Sequence, residues 1–171
     1  MISVKIGHIY HRQTLKNQAK SFVDSQVSIH GIGVQSHFGS TDIDMTQLKY
    51  RLDKVAEAGP PIWVTELSIK GSNFTAKAQA LEDVLTMYFS HKKVAGVILW
   101  GFWGASLKWQ ANAATPTVVV NKAGNKYMEL VNSEWRTNWT EKLKTYKNRR
   151  YFKGQYSIKI KKDGVTLKTI A

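Results

Sequence analysis

The chain has 171 residues, of which 43% are hydrophobic, and this length and composition suit one globular domain with a substantial core. It has no cysteine, so a disulfide framework and a thiolate site are both excluded. Lys and Arg outnumber Asp and Glu by 25 to 12, but residues 141–171 hold ten of these bases and two of these acids. The basic charge is therefore concentrated in the C-terminal segment.

This basic segment predicts a solvated charged face rather than a nucleic-acid site, because no RNA- or DNA-binding motif accompanies it. No stretch of the chain has the length and apolar character of a membrane span, and the N-terminal segment lacks the apolar core of a signal peptide. We therefore expect neither nucleic acid nor a membrane as a partner. The sequence also shows no cofactor motif and no complete set of metal ligands, so we expect no cofactor and no metal.

Helix and strand patterns alternate along most of the chain. The predicted order is a helix over 13–25, a strand within 27–38, a helix over 45–59 capped by Asp44, a strand over 62–69, a helix over 74–90, a strand over 94–103 and a helix over 123–135. The strands are almost continuously apolar and are separated by helices, which is typical of a parallel sheet covered by helices. The predicted fold class is therefore α/β.

The C-terminal segment breaks this alternation. Ile158 and Ile160 alternate with Ser and Lys, Asp163 and Gly164 predict a tight turn, and Val165 begins a second run. This pattern is typical of a β-hairpin. We accordingly expect two parts, a sheet-and-helix domain over 1–140 and a basic β-hairpin extension over 141–171.

Polar and aromatic residues gather where the predicted strands end. Gln35 and His37 end the first strand, Glu66 ends the second, and Trp100 and Trp103 end the third, with Trp109 on the following loop. The carboxyl ends of parallel strands share one rim, so these side chains are expected to converge. Indoles beside hydrogen-bonding groups suit a sugar ring, and a carboxylate among them suits cleavage of a glycosidic bond. A structural alternative has Glu66 in a salt bridge, His37 as a satisfied structural histidine and the tryptophans in the core.

Four segments in series resemble a known family. They are GIGVQSHF at 31–38, PIWVTELSI at 61–69, FSHKKVAGVILWGFW at 89–103 and NKAGNKYMELVNSEW at 121–135. Together they are similar to the C-terminal part of the catalytic domain of glycoside hydrolase family 10, the endo-1,4-β-xylanases. The resemblance implies a partial TIM (β/α)8 barrel made of the last three βα units, retaining hydrolysis of internal β-1,4-xylosidic bonds in xylan, and a secreted location.

The resemblance also implies roles for single residues. Glu66 corresponds to the nucleophile at the end of the seventh barrel strand, and His37 to the histidine that hydrogen-bonds and orients it. Three further residues correspond to substrate-binding positions of the family: Gln35, Trp100 and Trp109. The sequence departs from the family at Ser68, where members carry an aspartate that helps to orient the histidine.

The acid/base glutamate of the family lies in an asparagine-glutamate motif that has no match in this chain. We therefore expect the isolated chain to be incomplete as an enzyme and to associate with itself through exposed barrel edges. One alternative is a non-catalytic carbohydrate-binding remnant or a truncated isoform. Another is a structural or interaction protein that acts through residues 141–171.

Overall fold

The computed structural model describes residues 2–5, 9–101, 109–112, 115–137, 140–142 and 154–170, and it describes side chains in 13–101, 120–137, 140–142 and 154–170. The chain divides into two compact units, Met1–Glu129 and Leu130–Ala171. The predicted boundary at residue 140 between a barrel part and a hairpin extension stays a prediction. Within the described ranges, no helix is both long enough and apolar enough to span a membrane.

The first unit is built on a four-stranded parallel sheet with strand order β1-β2-β3-β4. One helix separates each strand from the next, so the predicted α/β alternation is confirmed. A two-stranded antiparallel sheet, β5 and β6, and a helix, α4, follow the parallel sheet. The elements in chain order are β1 (Ile2–Lys5), α1 (Ile9–Asp24), β2 (Ile32–Phe38), α2 (Met45–Ala56), β3 (Ile62–Ile69), α3 (Phe74–Ser90), β4 (Val94–Leu99), β5 (Trp109–Asn112), β6 (Thr115–Val120) and α4 (Lys122–Glu129).

The structure departs from the predicted elements at several places. The parallel sheet contains one strand more than the three that the sequence predicts, because β1 precedes α1 and pairs with β2. Trp109 was expected on a loop, but it is the first residue of β5. The last helix of this unit ends at Glu129, and the residues after it form a π-helical turn, Leu130–Glu134, rather than a continued α-helix.

One face of the parallel sheet is covered by helices. The Tyr88 hydroxyl of α3 donates a 2.8 Å hydrogen bond to Ser36 Oγ of β2, which places Ser36 on the helix-covered face. Burial raises the pKa of Tyr88, so this phenol remains a neutral donor. The apolar residues that are at most 4% exposed on the sheet and on these helices are Leu15, Ala19, Ile32, Val34, Leu48, Leu52, Val55, Ile62, Val64, Leu67, Ile69, Leu81, Val84, Leu85 and Tyr88.

Side-chain caps begin two of the helices. The Asp44 carboxylate accepts a 2.8 Å hydrogen bond from the backbone N–H of Gln47, which confirms the predicted cap of α2. The Asn73 side chain accepts bonds of 3.0 and 3.1 Å from the N–H groups of Thr75 and Ala76 at the start of α3. Both helices therefore begin at defined residues just after the strands that carry the site.

Strand β3 carries one extra residue compared with both of its neighbours. Val64 pairs with Val34 of β2, but the next pair joins Gln35 to Glu66, so Thr65 has no opposite residue. The same interruption occurs against β4, where pairing passes from Val64 to Leu67 while β4 advances by two residues. Such a bulge changes the alternation of side chains. In a regular strand Glu66 would share the helix-covered face with Val64, whereas here Leu67 is buried and Glu66 lies on the opposite face, which we call the open face.

Trp63 lies on the open face and crosses two glycines. A methyl group on Gly96 of β4 would come within 2.4 Å of Trp63 Cζ3, and one on Gly31 within 3.1 Å of Trp63 Cδ1. A methyl group on Gly96 would force the indole to move, whereas one on Gly31 would require only a shift of a few tenths of an ångström. Other large apolar side chains on this face are also exposed, namely Ile98 at 50% and Trp100 at 57%.

The second unit contains a β-hairpin. Strands β7 (Ile158–Lys162) and β8 (Val165–Ile170) pair antiparallel, as the sequence predicts. Asp163 and Gly164 link them with φ angles of 49° and 81°, which are the positive values that a tight hairpin turn requires. Every described residue of 154–170 is exposed, so the hairpin presents apolar and lysine side chains alike to solvent.

We predict that Gly96→Ala destabilises the chain by about 1–3 kcal/mol, because the new methyl group overlaps the Trp63 indole and forces it to move. Urea unfolding followed by circular dichroism measures this loss. Gly39→Ala is the matched control, since a methyl group there meets nothing within 4 Å. Equal unfolding midpoints for the two variants would contradict the described packing of Trp63.

Lys77 is a buried cation in the first turn of α3. Lys77 is 1% exposed, and its Nζ has no hydrogen-bond partner in the described part of the chain. Burial lowers the pKa of Lys77, because the charged amine has lost its hydration. The position near a helix N-terminus also disfavours a positive charge.

We predict that Lys77 makes the free energy of unfolding depend on pH in the alkaline range. Between the lowered folded-state pKa and the unfolded value of about 10.4, the unfolded chain binds more protons, so the free energy of unfolding rises as pH rises through that window. Lys77→Met should raise the urea midpoint at neutral pH and reduce this rise. Parallel pH profiles of wild type and Lys77→Met would show that Lys77 is not the source.

Candidate active site

The site is built from alternate residues of two neighbouring strands. Gln35 and His37 lie on the same face of β2, and Glu66 and Ser68 lie on the same face of β3 beyond the bulge. The strand register pairs Gln35 with Glu66 and His37 with Ser68. These four polar side chains therefore form a small cluster on the open face, at the carboxyl ends of both strands.

The Glu66 carboxylate is held at both oxygens. Gln35 Nε2 donates to Oε1 at 3.0 Å, and His37 Nε2 lies 3.0 Å from Oε2. The Glu66 side chain is 21% exposed and that of His37 is 30% exposed, so the carboxylate remains accessible from the open face. Two side chains from one strand thus fix the plane of the carboxylate without enclosing it.

His37 also has a partner for its second ring nitrogen. The distance from Nδ1 to Ser68 Oγ is 2.7 Å. The imidazole is therefore bonded at both nitrogens, and both partners belong to β3. Their identity establishes the orientation of the ring, because a flipped ring would place carbon atoms against the two oxygens.

Trp100 completes the described part of the site. Its indole meets the His37 ring edge to face, with centroids 5.9 Å apart and an interplanar angle of 86°. The backbone N–H of Trp100 donates to the Leu67 carbonyl at 2.9 Å, so this residue extends the pairing of β4 with β3. Because the indole is 57% exposed, the alternative that places this tryptophan in the core is wrong.

Two predicted indoles cannot be assigned to the site. The side chain of Trp109 lies outside the described residues, although its backbone starts β5. Trp103, which was expected at the same rim, lies outside them as well. The structure thus brings together Gln35, His37, Glu66 and Trp100, and it adds Ser68 as the second partner of His37.

This cluster combines an accessible carboxylate with an exposed aromatic surface. Within the described ranges there is no group of three His, Asp or Glu side chains that could hold a metal ion. In the part of the chain that the structure describes, Glu66 makes no ion pair with Lys or Arg, and its ionisable partner is His37. An accessible carboxylate beside an exposed indole is an arrangement that can accept a pyranose ring and its anomeric carbon.

Trp63 is an open-face residue that sequence patterns did not identify. It stands in a run of apolar residues, where Ile62 and Val64 are buried as expected. The sequence features that accompany its position are two glycines, Gly31 and Gly96. Both are far from Trp63 in sequence and meet the indole only in the folded sheet.

Comparison with known proteins gives the family. The model of Glycosyl hydrolase family 10 matches residues 6–133. Endo-1,4-beta-xylanase 3 of Arabidopsis thaliana is 37% identical over 109 residues, which are 63% of this chain and 14% of that protein. The anti-sigma-I factor RsgI6 of Acetivibrio thermocellus is 35% identical over 114 residues, which are 65% of this chain and 15% of that protein.

Solved structures agree on the fold. TsXylA, an intracellular xylanase from Thermoanaerobacterium saccharolyticum, superposes with a TM-score of 0.61 at 21% identity, over 73% of this chain and 42% of that one. GH10 from Paenibacillus barcinonensis also gives 0.61, at 16% identity, over 81% of this chain and 47% of that one. The parallel sheet with its helices therefore corresponds to part of a TIM barrel.

The chain spans less than one half of these two solved structures and a smaller share of the two curated relatives. The family match nevertheless covers most of its own length, from residue 6 to residue 133 of 171. On this ground the chain belongs to glycosyl hydrolase family 10.

Proposed function

We propose that this chain forms the nucleophile-bearing part of an endo-1,4-β-xylanase that hydrolyses internal β-1,4-xylosidic bonds of xylan with retention. The observation that carries the proposal is the Glu66 carboxylate on the open face, held between Gln35 Nε2 and His37 Nε2 at 3.0 Å each. Relatives named endo-1,4-beta-xylanase support the substrate class. A further support is that a structural relative, Xyn10B of Clostridium thermocellum, was crystallised with xylohexaose.

The catalytic and substrate-binding residues each have a role in this proposal. Glu66 attacks the anomeric carbon, and the bond from that carbon to the leaving oxygen breaks as the ester forms. His37 orients the carboxylate, and Gln35 holds its other oxygen and contacts the substrate. Trp100 and Trp109 provide apolar surfaces for sugar rings next to the cleaved bond.

The reaction also needs a second carboxyl group. In retaining glycosidases an acid about 5 to 5.5 Å from the nucleophile protonates the leaving oxygen and later activates water. The described contacts of Glu66 are an amide and an imidazole, and neither supplies that acid. We infer that the four parallel strands are the last four of an eight-stranded barrel, and that a further half-barrel brings the acid.

We predict that the full 171-residue chain is labelled on Glu66 by 2,4-dinitrophenyl 2-deoxy-2-fluoro-β-xylobioside. Dinitrophenolate leaves without a proton, so the missing acid does not matter for this step, and the fluorine slows hydrolysis of the ester. Peptide mass spectrometry locates the adduct, and Glu66→Gln is the control that should remain unlabelled. Xylan itself should be cleaved at least about 100-fold more slowly than by a family enzyme with its acid, unless the N-terminal half of such a barrel is added.

The outcome of labelling separates the candidate functions. An adduct on Glu66 supports the nucleophile role. Binding of xylohexaose without any adduct would replace the proposal with a carbohydrate-binding protein that has lost its chemistry. Retention on a polyanion column without xylohexaose binding would instead assign the function to the basic residues of 141–171.

Self-association follows from the open sheet. In the described residues β1 and β4 are the terminal strands, and the open face exposes Trp63, Ile98 and Trp100. Unpaired strand edges beside exposed apolar surface bind other chains. We propose that, without the rest of a barrel, a second copy of this chain covers the open face.

We predict concentration-dependent dimers of the isolated chain in sedimentation velocity experiments. Ile98→Lys should weaken the dimer at least about tenfold, because the buried face would then contain an unpaired charge. The exposed helix residue Phe89 offers a matched control as Phe89→Lys, which should leave the dimer intact. Monomers throughout the concentration range would contradict this expectation. We also propose a secreted location, although one structural relative, TsXylA, is an intracellular xylanase.

A further inference from the structure

Ser68 stands where the family carries an aspartate, and its hydroxyl differs from a carboxylate in that it can donate a hydrogen bond to His37. It is paired with His37 across the β2–β3 register, and its Oγ lies 2.7 Å from His37 Nδ1. In the described part of the chain this is the one hydrogen bond of the Ser68 hydroxyl. The serine therefore acts on the nitrogen of His37 that Glu66 does not use.

The identity of the two partners restricts where the imidazole proton lies. An ionised Glu66 can only accept, so His37 Nε2 must carry the hydrogen that points to Oε2. In a neutral imidazole Nδ1 then holds a lone pair, which needs a donor. A serine hydroxyl can donate, whereas a carboxylate at position 68 could not. The hydroxyl thus completes the hydrogen bonds of a neutral ring, with no group left unpaired.

Trp100 holds the ring in the orientation that this arrangement needs. Its edge-to-face contact with His37, at 5.9 Å between centroids, occupies the side of the imidazole toward β4. A ring flip would break both hydrogen bonds and disturb this contact. Glu66 is the one charged group in described contact with His37, since the other neighbours are a hydroxyl and an indole.

We propose that Ser68 is a positioning residue that donates its hydroxyl hydrogen to His37 Nδ1 and thereby holds the imidazole neutral, with its single N–H directed at Glu66 Oε2. Glu66 then receives two neutral hydrogen bonds, from His37 and Gln35, rather than an ion pair. More negative charge is left on the carboxylate for attack on the anomeric carbon than if a positive imidazolium faced it. The arrangement of the ring stands on its own, and the effect on attack rests on the proposed function.

The first test reads the nitrogens of His37 directly by long-range ¹H–¹⁵N NMR of the full chain at about pH 8, where an ordinary histidine is neutral. The wild type should show a protonated Nε2 and a bare, hydrogen-bonded Nδ1. Ser68→Thr keeps a hydroxyl and should give the same pattern. Ser68→Asp offers only an acceptor and should give two protonated nitrogens. A protonated Nδ1 in the wild type would overturn the proposal, and this result requires no variant to fold.

The second test measures inactivation by the dinitrophenyl fluoroxylobioside of the previous section. Ser68→Ala should lower the limiting rate of labelling by about threefold to tenfold, the value of one hydrogen bond, and leave the half-saturating concentration unchanged. Ser68→Thr should restore the rate. If Ser68 had a purely structural role, Ser68→Ala would lower the unfolding midpoint without a selective loss of the limiting labelling rate. That result would contradict the proposal.

The two tests separate the two claims. If the wild type shows the neutral ring but is not labelled on Glu66, the proposed nucleophile role fails and the effect of Ser68 on attack fails with it, while the hydrogen-bond assignment stands. If Glu66 is labelled but His37 is doubly protonated at about pH 8, the proposal for Ser68 fails and the proposed function survives.

Discussion

The extra residue in β3 is the constraint on which the site depends. Between Val64 and Leu67 this strand advances one residue further than both β2 and β4, and the side chains beyond the bulge change faces. Leu67 joins the core against the helices, and Glu66 emerges beside Gln35 on the open face. Without the irregularity the carboxylate would enter an apolar layer, where an unpaired charge is costly. One backbone irregularity thus turns a core strand into a strand that carries chemistry.

The site is held by strands rather than by loops, and this gives it rigidity. Gln35 and His37 are two residues apart on β2, and both bind the same carboxylate, so their spacing is that of a strand repeat. Such a site needs little further organisation before a sugar arrives. Its weakness lies in the same feature, because the face that displays the carboxylate is also the face that no described helix covers. The reactivity of Glu66 and the stability of the sheet therefore both depend on the open face and on the chain that covers it.

Periodicity in the sequence was sufficient for the elements with strong patterns and insufficient for the irregular ones. The helix stripes of α2 and α3, the cap at Asp44 and the β7–β8 hairpin follow from spacing and turn chemistry, and the structure confirms them. The first strand was missed because four residues give no period to read. The convergence of Glu66 and His37 was predictable from parallel strand ends, but the bulge that makes it possible depends on pairing with two neighbours, which local sequence does not specify.

The indole of Trp63 has a mechanical consequence for this sheet. It lies across the backbone at Gly31 and Gly96, so it bridges from the start of β2 over its own strand to β4. If β4 slid by one residue, a side chain would replace the glycine beneath the ring and collide with it. The indole therefore sterically opposes sliding of β4 relative to β3. In the described residues the sheet is not closed into a barrel, so it lacks the circular pairing that resists slippage. The contact of Trp63 with both glycines then helps to keep Glu66 aligned with Gln35 and His37.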